Sequence, residues 1–276
     1  MIPILFELGP IKIYSYGLML GIGFLLGSYI LSLELKRKKL DPNMASTITV
    51  LAVVFGISGA KLLYLLEHWS AFAKDPIGMT FSAGGLTWYG GFIVGMSAIM
   101  LYVRMKKVPI IKIWDCLGVA LILAYGVARL GCHFSGDGDY GFPTDLPWGT
   151  NYENGTYPPS HAFMIFPEVT SKYPSGVVPN NTPCHPTPVY EMLLGVMGFA
   201  LMWKLRTKPW PDGKLFMVYL MLSSLFRFSV EFLRLNPRLL WGLSEAQLIA
   251  AALFVLGVIG LTYFSGKSRP ETVPAT

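Results

Sequence analysis

The segment "VALILAYGVARLGCHFSGDGDYG" (residues 119–141) decides how the rest of the chain is interpreted. A long apolar run ends in it, and Arg129 lies within the last turn of that run. A glycine-rich loop with acidic residues follows at once. The apolar run predicts a membrane-spanning helix. The arginine predicts a functional site, because a charge at membrane depth is costly unless it is solvated or paired.

The composition of the whole chain supports a membrane protein. Of its 276 residues 53% are hydrophobic and 14% are charged, whereas soluble domains carry roughly 25% charged residues. The start, "MIPILFELGP", has no basic region and no small-residue cleavage site, so we expect the first apolar run to be retained rather than removed as a signal peptide. The net charge of +6 comes largely from short loops beside apolar runs, which argues against nucleic acid as a partner.

Seven apolar runs are long enough to cross a membrane, which takes about 20 residues. Glycines in several of them allow neighbouring helices to pack closely. The sequence therefore predicts an all-α integral membrane protein, with residues 1–276 forming a single seven-helix transmembrane domain. The predicted helices cover residues 15–35, 46–67, 86–104, 113–131, 187–204, 214–233 and 245–265.

The distribution of lysine and arginine predicts the orientation of these helices, since cytoplasmic loops are enriched in both. The loops after the first, third and fifth runs, together with Lys267 and Arg269 in the tail, carry fourteen of them. The opposite side carries five: Lys12, Lys74, Lys172, Arg234 and Arg238. We therefore expect an extracytoplasmic N-terminus and a cytoplasmic C-terminus. The loop of residues 132–186, between the fourth and fifth helices, is then extracytoplasmic.

Three cations lie within the apolar runs: Lys61, Arg129 and Arg227. At 1.5 Å per residue, all three fall within roughly 10 Å of the outer end of their helices. This common depth predicts one anion-binding site in the outer leaflet. Arginine suits forked recognition of phosphate. For Lys61, simple snorkelling of its flexible side chain to the interface remains an equal alternative.

Two motifs add acidic partners at the same ends of the helices. "FRFSVEFLR" (residues 226–234) places Arg227 and Glu231 four residues apart on one helix face. Glu231 is expected to hold Arg227, either as a structural salt bridge or to aim it at a ligand. "HPTPVYE" (residues 185–191) leads into the fifth helix, where Glu191 is favoured by the helix dipole whatever its function.

Aromatic residues at the helix ends have two open interpretations. "GGLTWYGG" (residues 84–91) contains Trp88 and Tyr89, and "SYGLM" (residues 15–19) contains Tyr16. Each can belong to the aromatic belt of a membrane protein. Each can also contact a bound lipid headgroup, and the sequence alone leaves both open.

The acidic loop "SGDGDYG" (residues 135–141) resembles a calcium loop only faintly. Asp137 and Asp139 lack the spaced ligands and closing glutamate of an EF-hand, so no metal is expected. Cys132 and Cys184 are both expected outside the membrane, where a disulfide between them stays open.

The string "GISG" (residues 56–59) invites a third interpretation, an intramembrane serine protease. Such an enzyme needs a histidine base within the membrane to activate its serine. Every histidine here lies at a helix end or in a loop. We therefore interpret Ser58 as a helix-packing residue.

Several separated stretches, taken in order, resemble the bacterial prolipoprotein diacylglyceryl transferase family over nearly the whole chain. The signature is "ARLGCHFSGDGDYG" (residues 128–141), which is similar to the family's Gly-Arg-Leu-Gly-Asn segment. The other matching stretches are "YGLMLGIGF", "GISGAKLLYLL", "GGLTWYGG", "HPTPVYE" and "FRFSVEFLR". Any one of them is weak, but their joint order is specific.

The resemblance implies a function and a location. Members of this family transfer the diacylglyceryl group of phosphatidylglycerol to the lipobox cysteine thiol of prolipoproteins, the first step of bacterial lipoprotein maturation, and glycerol phosphate leaves. The family has seven transmembrane helices in the bacterial inner membrane. Its chemistry needs no metal or organic cofactor. The expected partners are phosphatidylglycerol and prolipoprotein signal peptides.

The resemblance also implies roles for individual residues. Arg129 and Arg227 would bind the phosphate and stabilise the leaving group, and Glu231 would orient Arg227. Tyr89 stands where the family has a histidine and completes the expected catalytic set. The expected phosphatidylglycerol-binding residues are Arg129, Arg227, Tyr16, Lys61, Asp137, Gly141 and His185.

Departures from the family pattern keep one alternative open. Tyr89 is a poor base near neutral pH because a phenol titrates near 10, so His133 or His185 would have to replace the family histidine. Cys132 stands at the signature asparagine, and residues 142–183 have no clear counterpart. The alternative is a lipid-binding or lipid-transporting relative without transferase activity, although no inverted repeat supports transport.

Overall fold

The structure is a computed structural model that describes residues 1–9, 11–82 and 84–266. Lys267 and Arg269, which contributed to the predicted orientation, lie outside the described residues. Within these ranges the chain is predominantly helical. Its long helices follow the predicted apolar runs in number and order.

The long helices begin and end within a few residues of the predicted limits. The fourth predicted helix extends past residue 131 to Ser135, so the segment before the next long helix starts at residue 136 rather than at 132. The sixth ends at Val230 and continues as a 3₁₀ turn, Glu231–Leu233. In chain order the long helices are α1 (Ser15–Arg37), α2 (Met44–Glu67), α5 (Trp88–Met105), α6 (Ile110–Ser135), α9 (Thr187–Leu205), α10 (Lys214–Val230) and α11 (Glu245–Ser265).

Six of these helices are long and apolar enough to cross a membrane, which makes the chain a multi-pass membrane protein. Helix α5 is not among the six. Its 18 residues open with two aromatic residues and two glycines and include Arg104 near the end, and these residues dilute its apolar character. A seventh span therefore stays a prediction, as does the orientation of the termini.

Short elements that the sequence analysis did not predict complete the fold, so the all-α description was incomplete. Three antiparallel strand pairs are present among the described residues, each of two short strands. They are β1 (Ile4–Leu8) with β2 (Ile11–Tyr14), β3 (Thr150–Asn151) with β4 (Pro183–Cys184), and β5 (Arg238–Leu240) with β6 (Leu243–Ser244). Four short helices are α3 (Trp69–Phe72), α4 (Pro76–Phe81), α7 (Pro159–Ala162) and α8 (Pro167–Thr170).

The chain divides into two compact units, and the first comprises residues Ser28–Cys116. Its centre is the contact between α2 and α5, where two backbones approach closely. A Cβ added at Gly59 would lie 2.5 Å from the carbonyl oxygen of Gly90. Only glycine permits this approach, which is the packing that small residues provide in membrane helices.

The second unit comprises Met1–Gly27 and the chain from Leu117 onward. In it α10 packs against α9 and α11. The segment 136–186 folds around a small core of its own. Tyr140 and Tyr152 stack there with ring centroids 4.2 Å apart, and Phe163 and Cys184 are fully buried beside them.

Cys132 and Cys184 do not form the disulfide that the sequence left open, because both are free thiols. Cys184 lies in the core of the 136–186 segment, where its sulfur donates to the carbonyl of Thr182. Burial raises the pKa of this thiol to about 12, which keeps it protonated and unreactive. Cys132 lies instead on α6 beside Arg129.

Candidate functional site

The candidate site begins at the last turns of α6, where Arg129 lies almost buried with 12% of its side chain exposed. Its Nε donates to the carboxylate of Glu191 on α9. Its Nη1 donates to Asp139, at 2.5 Å, and to the sulfur of Cys132, at 3.2 Å. The arginine thus joins the end of α6 to the following loop and to a second helix.

Glu191, in the first turns of α9, is the centre of the network. Its carboxylate is 2% exposed, and a buried carboxylate is tolerated only when it is paired. Arg227 Nη1 and the Tyr125 hydroxyl each donate to Oε1 at 2.9 Å. Oε2 accepts from Arg129 and, at 3.4 Å, from Arg234 Nη1. Each carboxylate oxygen of Glu191 therefore has two donors.

Asp139 bridges two guanidinium groups of the same network. Its Oδ2 lies 2.5 Å from Arg129 Nη1 and its Oδ1 lies 2.5 Å from Arg234 Nη2. Burial disfavours the ionised carboxylate, but the two arginines outweigh burial and hold the pKa of Asp139 well below its usual range. Asp139 is therefore ionised at every physiological pH.

Glu231 supports Arg227 from the 3₁₀ turn after α10. It is fully buried, and its Oε2 lies 3.0 Å from Arg227 Nη2. Ser244 donates to its Oε1 at 2.8 Å, and so does Asn236 at 2.5 Å. The structure thus makes the Arg227–Glu231 contact that the sequence spacing predicted, and it fixes the glutamate from the opposite side.

The network balances three positive against three negative side chains. Two buried donors of the network, Nη2 of Arg129 and Nε of Arg234, have no hydrogen-bond acceptor in the described part of the chain. Arg234 Nε still faces Glu231 Oε2 at 3.5 Å, which leaves Arg129 Nη2 as the donor available to a ligand. An unmade hydrogen bond of a buried guanidinium is costly. This atom is therefore suited to an anionic ligand such as a phosphodiester.

Gly141 is the point where three backbone segments meet. Its N–H donates to the carbonyl of His185 at 2.8 Å, and the chain pairs here with Arg234. A Cβ at Gly141 would lie 2.2 Å from the carbonyl oxygen of Leu233. The structure therefore explains this glycine by close backbone approach, which holds the loop of Asp139 against the loop of Arg234.

Asp137 lies in the same loop, next to Cys132 and Asp139. One ligand atom from each of these three residues lies within 4.8 Å of the others, the only such donor group found in the described ranges. The chemistry does not fit a metal, because both oxygens of Asp139 already accept from guanidinium groups whose charge opposes a cation. Burial, with a contribution from Asp139, raises the pKa of Asp137 above its ordinary value.

His185 and Tyr16 border this network within the same unit. The His185 ring lies 3.3 Å from the Tyr190 hydroxyl, which also accepts from Trp148 Nε1 at 2.8 Å. Burial lowers the pKa of His185, so the ring is neutral at neutral pH. Tyr16 opens α1 with its side chain partly exposed and its backbone close to Gly131.

Lys61 and Tyr89 belong to the other unit. The Lys61 ammonium donates to three oxygens, the carbonyls of Ser82 and Gly84 and the hydroxyl of Ser82, at 2.7–3.0 Å. An ammonium has three donors, so Ser82 and Gly84 together use every donor of Lys61. Tyr89 is the second residue of α5 and lies next to Trp88, with ring centroids 5.4 Å apart. The predicted contacts of Lys61 and Tyr89 with a headgroup stay predictions.

Comparison with known proteins identifies the family. The family model described as prolipoprotein diacylglyceryl transferase matches residues 3–263. The chain belongs to this family. A transferase of Trichormus variabilis, named phosphatidylglycerol–prolipoprotein diacylglyceryl transferase, is 32% identical over 97% of this chain and 91% of its own length. Proteins of the same name from Nostoc (31%) and Clostridium tetani (30%) align over 99% and 93% of this chain and over 93% and 95% of their own lengths.

Four residues of the site were missed or assigned otherwise from the sequence of this prolipoprotein diacylglyceryl transferase family member. Glu191 was attributed to the helix dipole, although it lies in the matching stretch "HPTPVYE". Arg234 was counted as a loop cation, although its side chain is 8% exposed. Asp139 was noted only as part of a weak calcium-like loop. Tyr125 had no signal beyond being a polar group in an apolar run.

Proposed function

We propose that this protein transfers the diacylglyceryl group of phosphatidylglycerol to the lipobox cysteine thiol of prolipoproteins. The observation that carries the proposal is the family match over residues 3–263. Relatives that share about a third of their residues over nearly the full chain bear the name of that activity. The buried arginine network in the second unit contains cations of the kind that the reaction needs.

The reaction is a displacement at the glycerol carbon that carries the phosphate ester. The cysteine sulfur forms a thioether bond to this carbon. The bond between this carbon and the ester oxygen breaks, and glycerol phosphate leaves with that oxygen and the bonding electrons. The thiol proton goes to a base. Negative charge therefore grows on the leaving phosphate, and preorganised guanidinium groups in a dry site stabilise it.

Arg129 is the residue best placed for this task. Two of its nitrogens hold Glu191 and Asp139, and the remaining Nη2 is buried without an acceptor among the described residues. We assign this atom to the phosphodiester. Arg227, fixed by Glu191 and Glu231, is assigned to the same anion. Asp137, Gly141 and Tyr16 are proposed to border the bound headgroup.

The base that takes the thiol proton is proposed from what each candidate can accept. Tyr89, at the family's histidine, is a phenol, and a phenol accepts a proton only as phenolate, with a pKa near 10. His185 is neutral at neutral pH because burial lowers its pKa. A neutral imidazole is a competent general base. The His133 ring contacts the hydroxyl of Tyr152, which is fully buried in the core of the 136–186 segment. His185 lies instead beside Gly141 at the arginine network. We therefore assign the step to His185.

We propose the finer topology on the same grounds. The Lys and Arg bias favours seven spans with an outer N-terminus and a 136–186 segment on the outer side of the membrane. The family match favours the bacterial inner membrane. Residues 1–276 then form one transmembrane domain with one large outer loop. No nucleic acid and no cofactor enters this reaction.

The test is transfer by purified protein in vesicles containing phosphatidylglycerol labelled in its acyl chains. The acceptor is a peptide with a lipobox cysteine, and the matched control peptide carries serine in its place. We expect label on the cysteine peptide together with released glycerol phosphate. Lipid binding without either product would contradict the transferase and support the lipid-binding alternative.

A further inference from the structure

Tyr125 lies one helical turn before Arg129 on α6 and contacts the same carboxylate. Its hydroxyl donates to Glu191 Oε1 at 2.9 Å, while Arg129 Nε donates to Oε2. Residues four apart share a helix face, so Tyr125 and Arg129 both donate to Glu191 from the same face of α6. None of the family motifs quoted above includes Tyr125, and they give this residue no role.

The hydroxyl of Tyr125 has a distinct place in the network. The other donors to Glu191 are guanidinium groups of Arg129, Arg227 and Arg234. Little energy is needed to rotate a carboxylate about its last torsion, so the orientation of the Glu191 plane depends on its four donors. Without the hydroxyl, Oε1 retains Arg227 as its one donor, and the plane loses one of the four contacts that fix it.

We propose that Tyr125 is a positioning residue for the transferase reaction: it fixes the plane of the Glu191 carboxylate and thereby aims Arg129 and Arg227 at the phosphodiester. The inference rests on the proposed function. Tyr125 does not itself contact the reacting atoms; it acts through Glu191. The guanidinium carbon of Arg129 also lies 5.9 Å from the Tyr125 ring centroid, so the ring flanks the arginine as well.

The substitution Tyr125→Phe separates these two contributions, because it removes the hydroxyl and keeps the ring beside Arg129. The matched control is Tyr29→Phe, on α1, where the hydroxyl makes no hydrogen bond to any described residue. We expect Tyr125→Phe to lower kcat about tenfold, the scale of one lost hydrogen bond to a charged group. The KM for phosphatidylglycerol should change less than kcat, because the cations remain and only their aim in the transition state is impaired.

Two further readouts distinguish positioning from other roles. If Tyr125 donated or accepted the reacting proton, one limb of the pH–rate profile would be lost in the variant; positioning leaves its shape unchanged. If the hydroxyl served only stability, the activity of correctly folded variant, measured at a temperature well below its unfolding transition, would equal that of wild type.

The outcomes assign failure to one proposal or the other. Wild-type protein without transfer would overturn the proposed function. Active wild-type protein with Tyr125→Phe within twofold of Tyr29→Phe would overturn the positioning role alone. Should Tyr125→Phe not fold, Tyr125→Leu, which removes the hydroxyl and adds no volume, is measured instead, and wild-type kcat in that variant would likewise contradict the positioning role.

Discussion

Arg129 and Arg227, which come from helices α6 and α10, bind different oxygens of one carboxylate. That carboxylate belongs to Glu191, whose two oxygens accept from both arginines and from two further donors. Guanidinium groups from separate helices are therefore held at fixed positions by a buried anion. A preorganised pair of cations is what a departing phosphate requires, because no reorganisation is needed when charge develops.

Replacing Glu191 by glutamine should destabilise the protein and reduce transfer. The side chain keeps its shape but loses its charge, and three buried guanidinium groups then share two carboxylates. Breaking a buried ionic network in this way costs about 3 kcal/mol. Thermal unfolding in detergent measures the loss, with the exposed Glu168→Gln as control. Equal unfolding temperatures of Glu191→Gln and the control would show that Glu191 is not the centre of the network.

Asp139→Asn tests how the stability contributed by the Asp139 carboxylate depends on pH. The folded pKa of Asp139 lies below its unfolded value of about 3.9. The stabilisation by this carboxylate is thus fully present above the unfolded pKa and is lost as pH falls toward the folded pKa. The difference in unfolding temperature between wild type and variant should be constant from about pH 8 to 5 and shrink below about pH 4. A difference that grows on acidification would be incompatible with the ion pairs to Arg129 and Arg234.

Gly141→Ala tests the backbone crossing. The added Cβ would lie 2.2 Å from the Leu233 carbonyl oxygen, and backbone must move to relieve the clash. We expect a loss of about 1–3 kcal/mol and strongly reduced transfer, since Asp139 and Arg234 would be pushed apart. Gly21→Ala on α1 is the matched control, because its added Cβ would meet no atom beyond the backbone of its own helix within 4 Å among the described residues. Normal transfer by Gly141→Ala would mean that the loop tolerates the shift.

Lys61→Met separates a headgroup contact from a local structural role. The ammonium uses its three donors on Ser82 and Gly84, so the chain at Ser82 and Gly84 should be cleaved faster by protease in the variant. The KM for phosphatidylglycerol should change less than twofold. A large rise in KM with unchanged proteolysis would instead place Lys61 at the lipid, as its depth in the sequence suggested.

Hydropathy predicted the long helices well, because burial in lipid constrains twenty consecutive residues at once. Hydropathy did not predict the short strand pairs or the core of residues 136–186, since these depend on tertiary contacts such as the Tyr140–Tyr152 stack. The paired positions of Arg227 and Glu231 followed from helical spacing.

The rest of the site could not be derived in that way. An acidic residue in the first turns of a helix is expected even without any function. For this reason the sequence did not indicate that Glu191 is the centre of the network. Arg234 follows the end of α10, where a cation is ordinary, and only the fold shows it almost buried against Asp139. Contacts between residues far apart in sequence leave no periodic pattern.

The role of the two arginines is tested most sharply by transfer of labelled diacylglyceryl from phosphatidylglycerol to a lipobox peptide, measured with purified wild type, Arg129→Ala and Arg227→Ala. We expect transfer by wild type and at least about a hundredfold lower kcat in each variant, the scale of losing a transition-state donor, with both variants still inserted in the membrane. Transfer at the wild-type rate by either variant would contradict the claim that these two guanidinium groups stabilise the leaving phosphate.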